Sequence, residues 1–234
     1  ARVSLVFHLR AKVMTMLKQL FSNLYQVFDE QPVTEGRLAI QDIACAELAI
    51  AIAADKWPDL DPASPPRPKP SLPQPYLPRP YLDVLEANKT RAICRDIMEM
   101  PFAWAPPETS KDPLYLAHSR QKAHVEILGP EGLVHCKNVR MGLYGILPHV
   151  EYGIRTHPAE EIFIMLAGEA DWIRGDGGYK TRKAGEYSYH PSGMRHATRT
   201  NELAFMSVYV WTGDISTDEY DYQGYPQEPE DQSL

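Results

Sequence analysis

Two histidines and a glutamate are spaced in this chain as the ligands of one metal ion. His157 and Glu161 stand four residues apart in the stretch from Tyr152 to Gly168, with an apolar run behind them. A second stretch, Gly185-Glu-Tyr-Ser-Tyr-His-Pro-Ser-Gly-Met-Arg-His196, ends on another histidine after a Pro191-Ser-Gly193 turn. On strands, residues of equal parity point to one face, so His157 and Glu161 project together and the turn brings His196 back inward. The same alternation sends Glu160 and Arg195 the other way. Two imidazoles and a carboxylate leave roughly half of an octahedral shell open, which suits substrate or water and therefore catalysis rather than a closed structural site. One divalent transition metal is expected, and the ligand set suits Fe, Zn, Mn, Co or Ni alike.

The elements that must position these residues divide the 234-residue chain in two. Apolar residues at Val13, Met16, Leu17, Leu20, Phe21, Leu24, Tyr25 and Phe28 repeat at helical spacing and predict an amphipathic helix over 9–28. A second helix is expected over 34–54, capped by Thr34, and a third over 81–98, with Asp83 and Glu86 in its first turn. Between them, 58–80 is too rich in proline for helix or central strand and reads as a polyproline-like connector. After Pro106-Pro107 the period shortens. Strands are expected at 123–128, 140–147, 162–166, 170–174, 186–189 and 204–211, with a glycine-rich hairpin turn over 174–178. Short strands at near-regular spacing predict a small antiparallel barrel. The expected organisation is a helical region over 1–100, a barrel over 101–225 and an acidic tail over 226–234.

Composition excludes several classes. The net charge of -7 leaves no concentrated cationic face for nucleic acid. No apolar run approaches the roughly 18 residues of a membrane span. Cys45, Cys94 and Cys136 are odd in number and lack Cys-x-x-Cys spacing, so neither a disulfide framework nor a thiolate site is expected, and a cytoplasmic location follows. Arg10, Lys12 and Lys18 interrupt any secretory signal. The first helix has apolar surface to spare for a homodimer.

The two metal-site stretches resemble the paired motifs of the cupin superfamily, whose double-stranded β-helix barrels hold one metal between facing strands. Motif one, His-x-His, three or four residues, Glu, six residues, Gly, is matched by Arg155-Thr-His157, Glu161 and Gly168, with arginine in place of the first histidine. Motif two, Gly, five residues, Pro-x-Gly, two residues, His, three residues, Asn, is matched by Gly185, Pro191, Gly193 and His196, with Thr200 in the asparagine position. A closer resemblance is to the cupin-type dimethylsulfoniopropionate (DMSP) lyases, carried by His157-Pro-Ala-Glu-Glu161-Ile-Phe163, by Tyr152 upstream and by the helical N-terminus. Phe163 replaces the tyrosine of those enzymes.

The resemblance implies a mainly β fold with a C-terminal cupin barrel, and a metal-dependent carbon–sulfur lyase that splits DMSP into dimethyl sulfide and acrylate by β-elimination. It implies His157, Glu161 and His196 on the metal, the metal on the substrate carboxylate, and Tyr152 as the base. Arg155 either clamps the carboxylate bidentately or points to solvent. A cationic sulfonium favours aromatic faces, for which Tyr187, Tyr189 and Trp211 are the substrate-binding candidates, with Trp172 and Tyr209 beside them. His190 is expected as a strand or rim residue, and His118, His124, His135 and His149 are read as packing or surface residues. Two histidines and a carboxylate also describe the facial triad of non-haem dioxygenases, and a cupin acting on or binding another small carboxylate stays open.

Overall fold

A computed structural model of the chain describes residues 2–32, 38–54 and 77–226. The expected Thr34 cap, most of the proline-rich connector and the acidic tail beyond 226 lie outside these residues. Helices precede a large β-sheet.

The first helix, α1 (Arg2–Asp29), buries Val13, Leu17, Leu20, Phe21, Leu24 and Phe28 as one stripe. It packs on α2 (Leu38–Ala53), which answers with Ile40, Ala44, Leu48 and Ala51. The third expected helix is two: α3 (Arg79–Ala87) and α4 (Ala92–Glu99). Asn88 breaks the run, since its side chain bonds back to the Val84 carbonyl while its backbone leaves the helical region. Arg79 and Pro80, expected in the connector, form the first turn of α3, where a missing N–H costs nothing. Asp83 therefore lies beyond that turn, paired with Arg79 at 2.7 Å.

A further helix, α5 (Pro113–Ser119), sits where only strands were expected. Asp112 caps it by accepting from the Leu114 and Tyr115 N–H groups, with proline at the first helical position.

Among the described residues ten strands follow: β1 (Lys122–Gly129), β2 (Val134–His135), β3 (Arg140–Ile146), β4 (Glu151–Thr156), β5 (Glu160–Arg174), β6 (Lys180–Lys183), β7 (Tyr187–His190), β8 (His196–Arg199), β9 (Phe205–Thr212) and β10 (Asp221–Gly224). Their order is β10-β4-β8-β5-β9-β3-β1-β2, with β6 and β7 also on β5. The two strands expected at 162–166 and 170–174 are one 15-residue strand. Its first half pairs with β7 and β9, and its second half with β6 and β8, so β5 belongs to both walls of the barrel. Between the halves lies Gly168 at φ 73°, with the Ala204 carbonyl 2.0 Å from where a Cβ would stand.

Two apolar clusters result. One joins the helices to the outer face of the barrel through residues such as Ile162, Ile164, Tyr189, Val208 and Val210. The other fills the barrel interior with Tyr144, Tyr152, Phe163, Trp172, Tyr209, Trp211 and Tyr220. The alternation of β5 and β9 decides which residue goes where.

Gly168→Ala introduces both a disallowed φ and a backbone clash. We expect it to abolish soluble expression or to lower the melting temperature by several degrees at least, read by thermal denaturation.

Candidate metal centre and barrel interior

β4 ends at Thr156, and a short turn through Pro158 and Ala159 leads into β5. His157 and Glu161 thus meet across this turn rather than along one strand. The third side chain, His196, opens β8 after the Pro191-Ser-Gly193 turn, where Gly193 takes φ 71° and its N–H bonds to the His157 carbonyl. That backbone bond ties the two motifs together.

The ligand atoms of His157, Glu161 and His196 lie within 4.8 Å of one another, and all three residues are buried. His157 Nε2 and His196 Nε2 are 3.6 and 3.2 Å from Glu161 Oε2. Each imidazole is held from behind: His157 Nδ1 is 3.1 Å from the Ala159 carbonyl and His196 Nδ1 is 2.7 Å from that of Met194. A carbonyl can only accept, so both Nδ1 atoms carry the proton and both Nε2 lone pairs face the centre. Neither Nε2 has a hydrogen-bond partner. Two buried, unsatisfied, pre-aimed imidazole nitrogens beside a carboxylate fit a divalent metal.

Glu161 is the most heavily supported side chain of the three. Trp211 Nε1 donates to its Oε1 at 2.5 Å, and His190 Nδ1 lies 2.8 Å from its Oε2. Burial works against the charged carboxyl, but the surrounding imidazoles, His157 foremost and then His190 and His196, hold it well below the usual carboxylate range. Burial pushes His190 down to about 4, and it lowers His196 as well, so both imidazoles are neutral at neutral pH.

Read from sequence as a strand or rim residue, His190 ends strand β7 and is fully buried rather than at the rim. It pairs with Glu161 across β5 and β7, stacks on His196 at 4.0 Å, and bonds to Ser188 Oγ at 2.8 Å. Ser188 and His190 point inward, and by the period of two Tyr187 and Tyr189 must point outward. Those two tyrosines, expected to bind substrate, pack instead with the outer, helix-facing cluster. Trp211 does reach the site, where it stacks on His157 at 4.3 Å while holding Glu161.

Tyr152 lies inside the barrel, its ring stacked on Tyr144 at 5.4 Å and its hydroxyl bonded to that of Tyr220. Tyr220 lies 5.9 Å from the His157 ring and nearly parallel to it, and so links Tyr152 to the centre. No motif flags Tyr220, which precedes β10. Burial pushes the phenols of Tyr152 and Tyr220 well up; neighbouring phenols add to this at Tyr152, and Arg155 opposes it.

Arg155 does not face solvent. It is 1% exposed, with its guanidinium 3.7 Å above the Tyr152 ring. Strict alternation would put Tyr152 and Arg155 on opposite faces of β4. Between Tyr152 and Arg155, however, β4 advances three residues while β8 advances two, from Thr198 to His196. The extra residue reverses parity and turns both side chains inward.

Fold and site together define a cupin barrel whose interior carries the side chains for one metal ion. The family model for DMSP lyase matches residues 78–206, more than half of the chain, and the chain belongs to that family. Among curated proteins it is similar to the DMSP lyase DddQ of Ruegeria pomeroyi, 42% identical over 66 residues. That alignment covers 28% of this chain and a third (33%) of the relative. Among solved structures it is similar to a chain from the crystal structures of the DMSP lyases RdDddP and RnDddQII, with TM-score 0.62 and 14% identity over 90% of this chain and 99% of that one. At such identity the likeness is one of fold. Among the described residues no helix is long and apolar enough to cross a membrane.

Trp211→Phe keeps the ring on His157 but removes the N–H on Glu161, and it should weaken metal binding ~10–100-fold in competition with a chromophoric chelator. The metal-free protein should also be acid-sensitive. Between the ordinary imidazole value of 6.5 and about 4, the unfolded chain takes up a proton at His190 that the folded chain refuses, so stability is complete above this window and falls as pH drops through it. Depressed His196 acts in the same direction. Melting temperatures of chelator-treated protein should fall between pH 7.5 and 5.

Proposed function

We propose that the chain is a metal-dependent lyase that cleaves DMSP to dimethyl sulfide and acrylate by β-elimination. The observation that carries this reading is the open, buried His157–Glu161–His196 cluster with the Tyr152 and Tyr220 phenols beside it. Family membership supports the same substrate class.

In this reading a divalent metal held by His157, Glu161 and His196 supplies Lewis acidity toward a substrate oxygen. Tyr152, as the phenolate, takes the α-proton. The C–H electron pair becomes the new C=C bond, the Cβ–S bond breaks with its pair going to sulfur, and neutral dimethyl sulfide leaves beside the acrylate anion. The leaving group needs no acid, which fits an interior whose titratable donors are phenols with raised pKa values. Burial alone would keep Tyr152 protonated. The Arg155 cation over its ring counters this, and a bound metal's charge acts in the same sense.

The remaining walls are aromatic. Phe163 lies 5.7 Å from Tyr209 and 5.9 Å from Tyr144, and Trp211 stands over His157. Such faces exclude water and receive a sulfonium through cation–π attraction. Phe163 can neither ligate metal nor move a proton, so proton transfer falls to Tyr152 with Tyr220.

Anaerobic headspace detection of dimethyl sulfide, from metal-loaded protein and DMSP, tests the reading. Release without oxygen is expected, and it should fall ~10²–10⁴-fold in Tyr152→Phe. Full turnover by that variant would remove Tyr152 as base, and turnover that consumes oxygen would favour the dioxygenase reading of the same ligand set.

A further inference from the structure

Arg155 is a buried cation without an anion. Its Nη1 reaches the Tyr152 and Gly153 carbonyls at 3.4 and 3.3 Å, while its Nη2 has no hydrogen-bond partner. Among the described residues no carboxylate lies within ion-pairing distance of it. Burial disfavours its charge, yet its surroundings outweigh burial and it stays protonated. Leaving a guanidinium dry and unpaired is costly, and proteins that keep one there bring it a counter-ion.

Two more unsatisfied donors lie on the same wall. Thr198 on β8 stands directly between Tyr152 on β4 and Trp172 on β5, in register with both. Thr198 Oγ1 and Trp172 Nε1 are buried without partners, and the Trp172 ring centroid is 6.0 Å from the Arg155 guanidinium. Arg155 Nη2 and two neutral donors thus line three adjacent strands with no acceptor supplied by the protein. Such a set is matched by a small planar anion. His196 follows on the same wall, cross-strand from Arg155, so the place adjoins the metal centre without being part of it.

We propose that Arg155, Trp172 and Thr198 form a carboxylate subsite that binds its anion whether or not the metal is present. Identifying that anion as the carboxylate of the substrate, and of the acrylate product, rests on the lyase reading; the subsite itself does not. It also orients a zwitterionic substrate. A sulfonium set against Arg155 would meet a like charge, so the carboxylate lies toward β4 and β8 and the sulfonium toward Phe163 and Tyr209. The arginine in place of the first motif histidine is then a specificity device for short carboxylates.

Propionate is the probe and propionamide its uncharged control, titrated calorimetrically into the full chain in metal-loaded and chelator-treated forms. Propionate should bind both forms, and propionamide neither. Arg155→Met should weaken propionate ~10–100-fold in both. Arg155→Lys, which keeps the charge, should restore part of the loss, and Trp172→Phe, which keeps the ring and loses the N–H, should weaken binding several-fold. Melting curves confirm that each variant is folded, and the two conservative variants carry the test should Arg155→Met not fold. Binding that requires the metal and is the same in Arg155→Lys and Trp172→Phe as in the parent would overturn the proposal, as would no binding to either form at 10 mM. Because the readout is binding, a protein that takes propionate this way but releases no dimethyl sulfide would sink the lyase reading and leave the subsite standing.

Discussion

A carboxylate with no access to water must have every lone pair accounted for, and the interior of this barrel is arranged around that requirement at Glu161. Its Oε1 takes the Trp211 N–H, and its Oε2 faces His190 and the two aimed imidazoles. Its hydrogen-bond partners come from β9 and β7 and the aimed imidazoles from the turn before β5 and the start of β8, so one carboxylate draws together four chain segments. Removing a single partner leaves charge uncompensated in a dry site, where such a loss costs far more than at a surface. Ser188 extends the same logic one step further, since its hydroxyl engages the far nitrogen of His190.

The strand that carries Glu161 also explains why the barrel closes. β5 serves both walls in succession, bent at Gly168, so the apolar run behind Glu161 is buried on both faces and lacks simple alternation. From sequence this looked like two strands separated by glycine. A break and a bend look alike in one dimension, because both call for the same residue. The helical stripe of α1 was legible for the opposite reason: a period of 3.6 along many residues has no competing explanation. α5 was overlooked because seven residues are too few to show a period, although the Asp112-Pro113 pair is a capping signal that can be read locally.

The cluster of His157, Glu161 and His196 could be foreseen because spacing and turn residues encode it directly. What lies around it depends on register, which residue types do not reveal. Aromatic character made Tyr187 and Tyr189 attractive as pocket residues. The pairing of Glu161 with His190 instead sets the parity of β7 and sends Ser188 and His190 inward. Inside β4 the obstacle was subtler, since one extra residue between Tyr152 and Arg155 cancels the alternation that would have separated them.

That single insertion has electrostatic consequences. By placing a guanidinium over the ring of Tyr152, it sets a permanent positive charge beside a phenol that burial would otherwise keep neutral. A histidine at Arg155 would lend the metal a further ligand but, being neutral when bound, would do little for the phenol. Arginine cannot ligate, cannot lose its proton, and stays cationic even in this dry interior. The site thus keeps fewer metal ligands and gains a fixed charge that acts on the proposed base from one side and on an incoming anion from the other. With Phe163 closing off the alternative phenol, the proposed proton transfer and the proposed anion recognition both fall on the short segment from Tyr152 to Arg155. The bulge in β4 is what makes that concentration geometrically possible.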